Sequence, residues 1–320
     1  MIISASRRTD VPAWYGGWLL QRLRQGEALV SNPFRPRRIT RLRFSPQTVE
    51  ALVLWTKHPE PMLSLLPEID RLGYRYYFTY TLTPYGPEWE PGFPAVERRI
   101  ACFQALSRRL GPSRVDWRYD PVILTADRGT GWHLEQFERL CRQLAPYTTR
   151  CIFSFFDSYR HLGKRFAPPD EEQMFEIAAG FAAIAREHRL PLYTCAEPSD
   201  LSRWGIAHAA CIDPQKIAEL CGGRKISYKK DAGQRPACGC APSVDIGSYD
   251  TCPGGCVYCY GTRSRIRAQQ RFAAHDPGCP LLEGPPPDGA EITVRQAEAA
   301  FLKAAVENFT GEQEQIGGGK

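Results

Sequence analysis

Three cysteines near the C-terminal end carry the clearest chemical signal: Cys252, Cys256 and Cys259, in the run Cys-Pro-Gly-Gly-Cys-Val-Tyr-Cys-Tyr. Thiolates at this Cys-x3-Cys-x2-Cys spacing can ligate three irons of a cubane cluster and leave the fourth iron without a protein ligand; the alternative is zinc, or a cluster that only transfers electrons or stabilises the fold. Gly254 and Gly255 let the backbone wrap closely around an inorganic core, and Pro253 narrows the freedom of the loop. Tyr258 and Tyr260 flank the last cysteine and are candidates to cover the cluster and touch its cofactor.

The chain has 12 cysteines, many for an enzyme of a reducing compartment, where metal ligation explains thiols better than disulfides do. Cys102, Cys141 and Cys151 sit singly in apolar patterns and read as small buried hydrophobes. Cys221 and Cys279 read as structural. Cys238 and Cys240 either add ligands to the main cluster or join Cys195 and Cys211 in a four-thiolate site, which suits a second cluster or zinc. The plainer alternative makes Cys195 a core residue, with Cys238 and Cys240 merely near the cluster. No histidine pair has metal-ligand spacing. His133, His161 and His188 read as surface or helix-end residues. There is no Ser-His-Asp arrangement and no phosphate loop.

The elements that must position these groups alternate. Strands are expected at Ile2–Ala5, Leu52–Thr56, Tyr74–Thr81, Val115–Tyr119, Cys151–Phe155 and Pro191–Cys195, with a further strand at Ile39–Phe44. Tyr76, Tyr77 and Phe78 read as core. Helices are expected from Pro12 (with Trp14, Trp18, Leu19 and Leu23 on one side), over Pro61–Leu72, Ala95–Leu110, His133–Leu144 and Glu171–His188, and over Val294–Asn308 at the end. Repeated strand–helix units imply a parallel sheet, and so many units point to an α/β, TIM-like (β/α) barrel, complete or partial. No Gly-rich dinucleotide fingerprint follows the first strand. The expected organisation is a barrel core over 1–222, a cysteine-rich cluster-binding loop over 223–262, and a helical extension and tail over 263–320.

Arg7, Arg8, Asp10, Lys57, Arg118, Asp120, Asp157 and Glu197 all fall at or just past expected strand ends. In a parallel barrel those ends form one rim, where active sites are built. Such a set can grip a carboxylate, an amine, ribose hydroxyls or a phosphate; an internal salt-bridge network is the alternative. Arg7, Arg8, Asp10, Lys57, Arg118, Asp120 and Glu197 are the candidates for catalytic contact, and Asp157 joins Tyr258 and Tyr260 as a candidate for cofactor binding. The net charge of +6 is spread along the chain without a basic arm, so an anionic small molecule and nucleic acid both stay open. The N-terminal apolar run is too short for a signal peptide, and no stretch approaches the roughly 20 apolar residues of a membrane span. These features point to the cytoplasm.

The cysteine run resembles the cluster motif of radical S-adenosylmethionine enzymes. The resemblance implies a [4Fe–4S] cluster whose free iron chelates S-adenosylmethionine, reductive cleavage to a 5′-deoxyadenosyl radical, a barrel scaffold, a small-molecule substrate, and an electron donor such as flavodoxin or ferredoxin. In that superfamily the motif follows the first strand. Here it follows most of the strand–helix units, which a circularly permuted order would reconcile, with Asp245–Thr251 leading into the loop. From Ile3 to about Gly261 the chain also resembles a bacterial family of uncharacterised proteins, domain of unknown function 1848. That resemblance is carried by Ser4-Ala5-Ser6-Arg7-Arg8-Thr9-Asp10, Asn32-Pro33, Trp55-Thr56-Lys57, Trp117-Arg118-Tyr119-Asp120-Pro121, Ser154-Phe155-Phe156-Asp157, Thr194-Cys195-Ala196-Glu197, Cys211-Ile212-Asp213, and the run from Cys238 to Tyr260. It implies fold and cofactor, and no reaction.

Overall fold

Short apolar runs that stay buried on both faces belong in a parallel sheet covered by helices. In the computed structural model, which describes residues 1–224, 228 and 230–299, those runs build the main sheet. The elements in chain order are β1 (Ile2–Ala5), α1 (Val11–Trp14), α2 (Gly16–Gln25), β2 (Glu27–Asn32), β3 (Arg35–Arg43), β4 (Ala51–Thr56), α3 (Leu66–Arg71) and β5 (Tyr76–Thr81). Then come α4 (Val96–Leu110), β6 (Val115–Val122), α5 (Thr130–Leu144), β7 (Cys151–Phe155), α6 (Glu171–Glu187), β8 (Leu192–Thr194) and β9 (Ala207–His208). The last are α7 (Pro214–Leu220), β10 (Val244–Asp245), α8 (Arg265–Ala273) and β11 (Glu291–Gln296).

Eight strands lie in the order β10-β1-β4-β5-β6-β7-β8-β9, and every neighbouring pair is parallel. The protein is thus a mixed α/β fold on a parallel sheet. Successive strand residues face opposite sides. Ile3, Leu52, Leu54, Phe78, Trp117 and Phe153 pack in the core cluster that also holds Trp18, Phe103, Phe137 and Phe181 of the helices. Ile2, Val53, Tyr77 and Ile152 face the other way, into a second cluster with Ala209, Cys211, Ile212, Cys238, Cys240 and Ala241. Tyr77, on a central strand, donates its hydroxyl to the carbonyl of Cys211, just past the β9 edge, at 2.7 Å. Among the described residues no ladder joins β9 to β10. Instead the Ala241 amide donates to the Ile212 carbonyl at 2.9 Å across that seam.

Several expectations change. The helix expected from Pro12 is two helices, broken at Tyr15, whose hydroxyl reaches the Thr251 carbonyl at 2.6 Å. The Pro61–Leu72 segment opens as a 3-10 helix over Glu60–Leu65. The segment 223–262 supplies a sheet strand, β10, directly before the cysteine run. Residues 294–296 of the helix expected over Val294–Asn308 belong to β11, which extends the β2–β3 hairpin as a third, parallel strand. The backbone hydrogen bonds offered by β3 outweigh local helix propensity there. Residues 300–308 of that expected helix, and the tail, lie outside the described residues.

Candidate functional site

The rim residues follow from strand geometry. Asp10 caps α1 through a bond from the Ala13 amide at 3.0 Å, and its other oxygen accepts the Lys57 amide at 2.6 Å. One carboxylate therefore ties the exits of β1 and β4 together. Burial pushes the Asp10 carboxyl up to about 6, against the hydrogen bond from Lys57. Lys57 turns its ammonium to Glu90 at 2.8 Å. Glu90, fully buried, also accepts from Arg99 at 2.5 Å, from the Thr83 hydroxyl at 2.8 Å and from Tyr258. Burial would raise its pKa, but Lys57 and Arg99 hold it below the usual range. Sequence reasoning missed Glu90, which sits mid-loop between Gly86 and Pro94; its partner Arg99 on α4 is a tertiary fact.

The cysteine run lies against this network. Cys252, Cys256 and Cys259 are half-buried and close enough to act on one another's ionisation. Burial pushes the Cys252 thiol up to about 12 and raises Cys256 as well, with Glu90 adding to the rise at Cys256. Backbone donors aim at the sulfurs. The backbone of Asp10 and Gly254 counters that rise at Cys252. The Gly261 amide donates to Cys259 at 3.2 Å, and the Thr262 hydroxyl donates to the Cys252 carbonyl at 3.4 Å. The loop is clamped from β5's side, where the Gly92 amide donates to the Gly254 carbonyl at 2.9 Å. A Cβ on Gly92 would stand 2.6 Å from Gly254, so only glycine fits this approach. Gly255 turns the chain at φ 67. Tyr258 is buried; Tyr260 is 43% exposed and donates to the Arg7 carbonyl.

The other four singled-out cysteines also come together. The Cys195 and Cys211 sulfurs are 3.2 Å apart. Cys238 and Cys240 are near enough to Cys195 and Cys211 to act on their ionisation. The Arg118 guanidinium donates to the Cys211 sulfur at 3.1 Å and pairs with Asp120. The Ile212 amide donates to the Cys240 sulfur at 3.3 Å. As the sulfurs stand, no group of three or more His, Cys, Asp or Glu side chains among the described residues could hold a metal ion.

The remaining candidates divide. Arg7 reaches Asp245, which was missed and which also accepts from Ser4 and Ser6, and Arg8 reaches the Gly247 carbonyl and the Tyr249 ring. Asp120 takes the Ser154 hydroxyl. Glu197, its carboxyl pushed up to about 7 by burial, accepts the Phe155 amide at 2.9 Å. Asp157 pairs with Arg235 in a half-exposed position, and Arg235 feels the Cys195 thiol. His133 is not a surface residue. It is buried between the Tyr119 hydroxyl and the Ile123 carbonyl. A cleft of about 510 Å³ opens beside the cysteine run, lined by Cys256, His161, Arg165, Arg263 and Arg265 among others.

No helix among the described residues is long and apolar enough to cross a membrane. No curated protein matches the chain. Among solved structures, the "putative alpha-L-fucosidase from Bacteroides thetaiotaomicron VPI-5482" is 9% identical, over 56% of this chain and 85% of that one. Its TM-score of 0.27 is too low to carry an argument. The domain of unknown function DUF1848 matches residues 2–261, from β1 through the cysteine run, and the chain belongs to that family.

Proposed function

We propose that this protein carries a [4Fe–4S] cluster on Cys252, Cys256 and Cys259 and performs S-adenosylmethionine-dependent radical chemistry on a small anionic substrate. The reading includes a (β/α) barrel closed across β9 and β10, with the cluster at its C-terminal mouth. The observation that carries it is the donor set: three neighbouring thiols in one loop, with the Gly261 amide donating to the Cys259 sulfur at 3.2 Å. Such bonds stabilise thiolates on a cluster and set its potential. Three protein ligands leave one iron open. When bound, the cluster would supply an electron to the sulfonium of S-adenosylmethionine.

The chain's own residues supply position and field. Asp10, Lys57 and Glu90 fix the loop against the exits of β1, β4 and β5. Tyr258, packed with Tyr85 and Trp89, excludes water from one side of the cysteines. Arg7, Arg8 and Arg118 can grip a carboxylate, and Asp120 and Glu197 an amine or hydroxyl. The basic cleft beside Cys256 has the volume of a small-ligand site. A flavodoxin or ferredoxin would deliver electrons.

Anaerobic reconstitution tests the reading. The expected result is a brown protein with about four irons at this site that, once reduced, converts S-adenosylmethionine to 5′-deoxyadenosine and methionine. Reconstituted, reduced protein that neither binds nor cleaves S-adenosylmethionine sinks it. The same arginines favour a second reading, in which a phosphorylated or nucleic-acid substrate is processed beside a structural cluster. That reading requires steeply salt-dependent binding that survives Cys256→Ser.

A further inference from the structure

We propose that Cys195, Cys211, Cys238 and Cys240 form a separate four-thiolate site for one zinc ion, and that this ion clasps the two edges of the main sheet. The four come from three places: just past β8, just past β9, and just before β10. β9 and β10 are the sheet's two edges. Among the described residues they share no ladder, and across the seam the Ala241 amide bonds to the Ile212 carbonyl. There the Cys195 and Cys211 sulfurs touch at 3.2 Å, and Cys238 and Cys240 lie in the same buried cluster, short of a metal-holding arrangement as they stand.

Two observations separate this group from ordinary core thiols. A buried guanidinium, Arg118, donates to the Cys211 sulfur, and a backbone amide donates to Cys240. Arg118 already pairs with Asp120, yet it turns its other nitrogen onto the Cys211 sulfur, the kind of donor that an anionic four-thiolate site uses. The spacing selects the metal. Tetrahedral zinc with bonds of about 2.3 Å sets its sulfurs about 3.8 Å apart. The observed 3.2 Å contact needs only a small spreading of side chains to reach that. A cubane would have to force the same sulfurs much further apart inside a packed cluster. Four ligands also leave no open position, the mark of a structural site.

The test uses the full chain and counts metals. About one zinc per chain is expected in the native protein, and it should persist in the triple variant Cys252→Ser/Cys256→Ser/Cys259→Ser. Cobalt loaded into that variant should give the intense bands of a tetrahedral tetrathiolate. The double variant Cys238→Ser/Cys240→Ser should lose the zinc and keep the iron. If that variant fails to fold, alkylation of the native chain decides instead: the four cysteines should resist the reagent until the metal is chelated. Free alkylation of all four in zinc-free native protein overturns the proposal. So does a Cys195–Cys211 disulfide, or iron and sulfide retained by the triple variant. Loss of the mouth cluster with zinc retained would sink only the preceding proposal.

Discussion

The two cysteine groups differ in everything but chemistry. The trio sits in one loop of consecutive turns, half-buried, with its sulfur bonds coming from the backbone and a cleft at its side. The quartet is gathered from distant parts of the chain, lies in the packed inner cluster and takes a guanidinium as its partner. On the proposed readings, three ligands in a loop make an open site and four across a seam a closed one, so that placement would separate a reactive site from a structural one where cysteine count does not. Arg118 feels the quartet, Tyr260 feels Cys259 of the trio, and the two feel each other.

The comparison breaks most sharply on single serines. Cys256→Ser should abolish S-adenosylmethionine cleavage while leaving the thermal midpoint nearly unchanged. Cys211→Ser should do the reverse in kind, losing zinc and lowering the midpoint steeply, because binding energy of a structural metal is folding energy. Equal effects on stability from both would erase the distinction. Next comes Glu90→Gln. It leaves Lys57 and the fully buried Arg99 without their shared carboxylate, and removing one partner from a buried pair costs about 3–5 kcal/mol. Chemical denaturation measures this. A loss below 1 kcal/mol would mean that the network under the trio is dispensable.

Much of this contrast could be read from sequence, and the reason is local. β4, β5 and β7 are unbroken apolar runs, and a buried parallel strand needs nothing else to announce itself. The rim candidates followed from those strand ends. β9 and β10 are two residues each and carry no periodicity, so the seam was invisible. β11 is exposed throughout and exists because β3 offers it hydrogen bonds. Cys195, Cys211, Cys238 and Cys240 could be named as one possible set, but their meeting place depends on that unseen seam. Glu90 and Asp245 were missed because each is defined by partners far away in sequence.

A buried polar centre without cysteine provides the control. His133 donates from Nε2 to the Ile123 carbonyl at 2.9 Å, which leaves Nδ1 to accept from Tyr119 at 2.8 Å. Burial favours the neutral ring and lowers its pKa from 6.5 to about 4. The unfolded chain binds the proton first. Its contribution to stability is complete above pH 6.5 and is lost as pH falls toward 4, about 3 kcal/mol over the window. His133→Gln should flatten that part of the stability–pH curve. If the slope instead disappears with the Cys238→Ser/Cys240→Ser pair and persists in His133→Gln, acid acts through the metal site and the control fails.

The smallest effect belongs to Tyr260→Phe. The hydroxyl makes one bond, to the Arg7 carbonyl, from a partly exposed ring. Losing it should cost about 1 kcal/mol, read as a slight shift in the denaturation midpoint with both metals retained. The position gives the variant its value. Tyr260 lies between Cys259 and Arg118, so its bond ties the open loop to the residue whose neighbours include the closed site. If the two sites are independent, Tyr260→Phe should leave the zinc release rate untouched and change only how fast oxygen bleaches the cluster. A matching change in zinc release would show that the mouth loop and the seam move as one body, and their separation into reactive and structural sites would then describe chemistry and not mechanics.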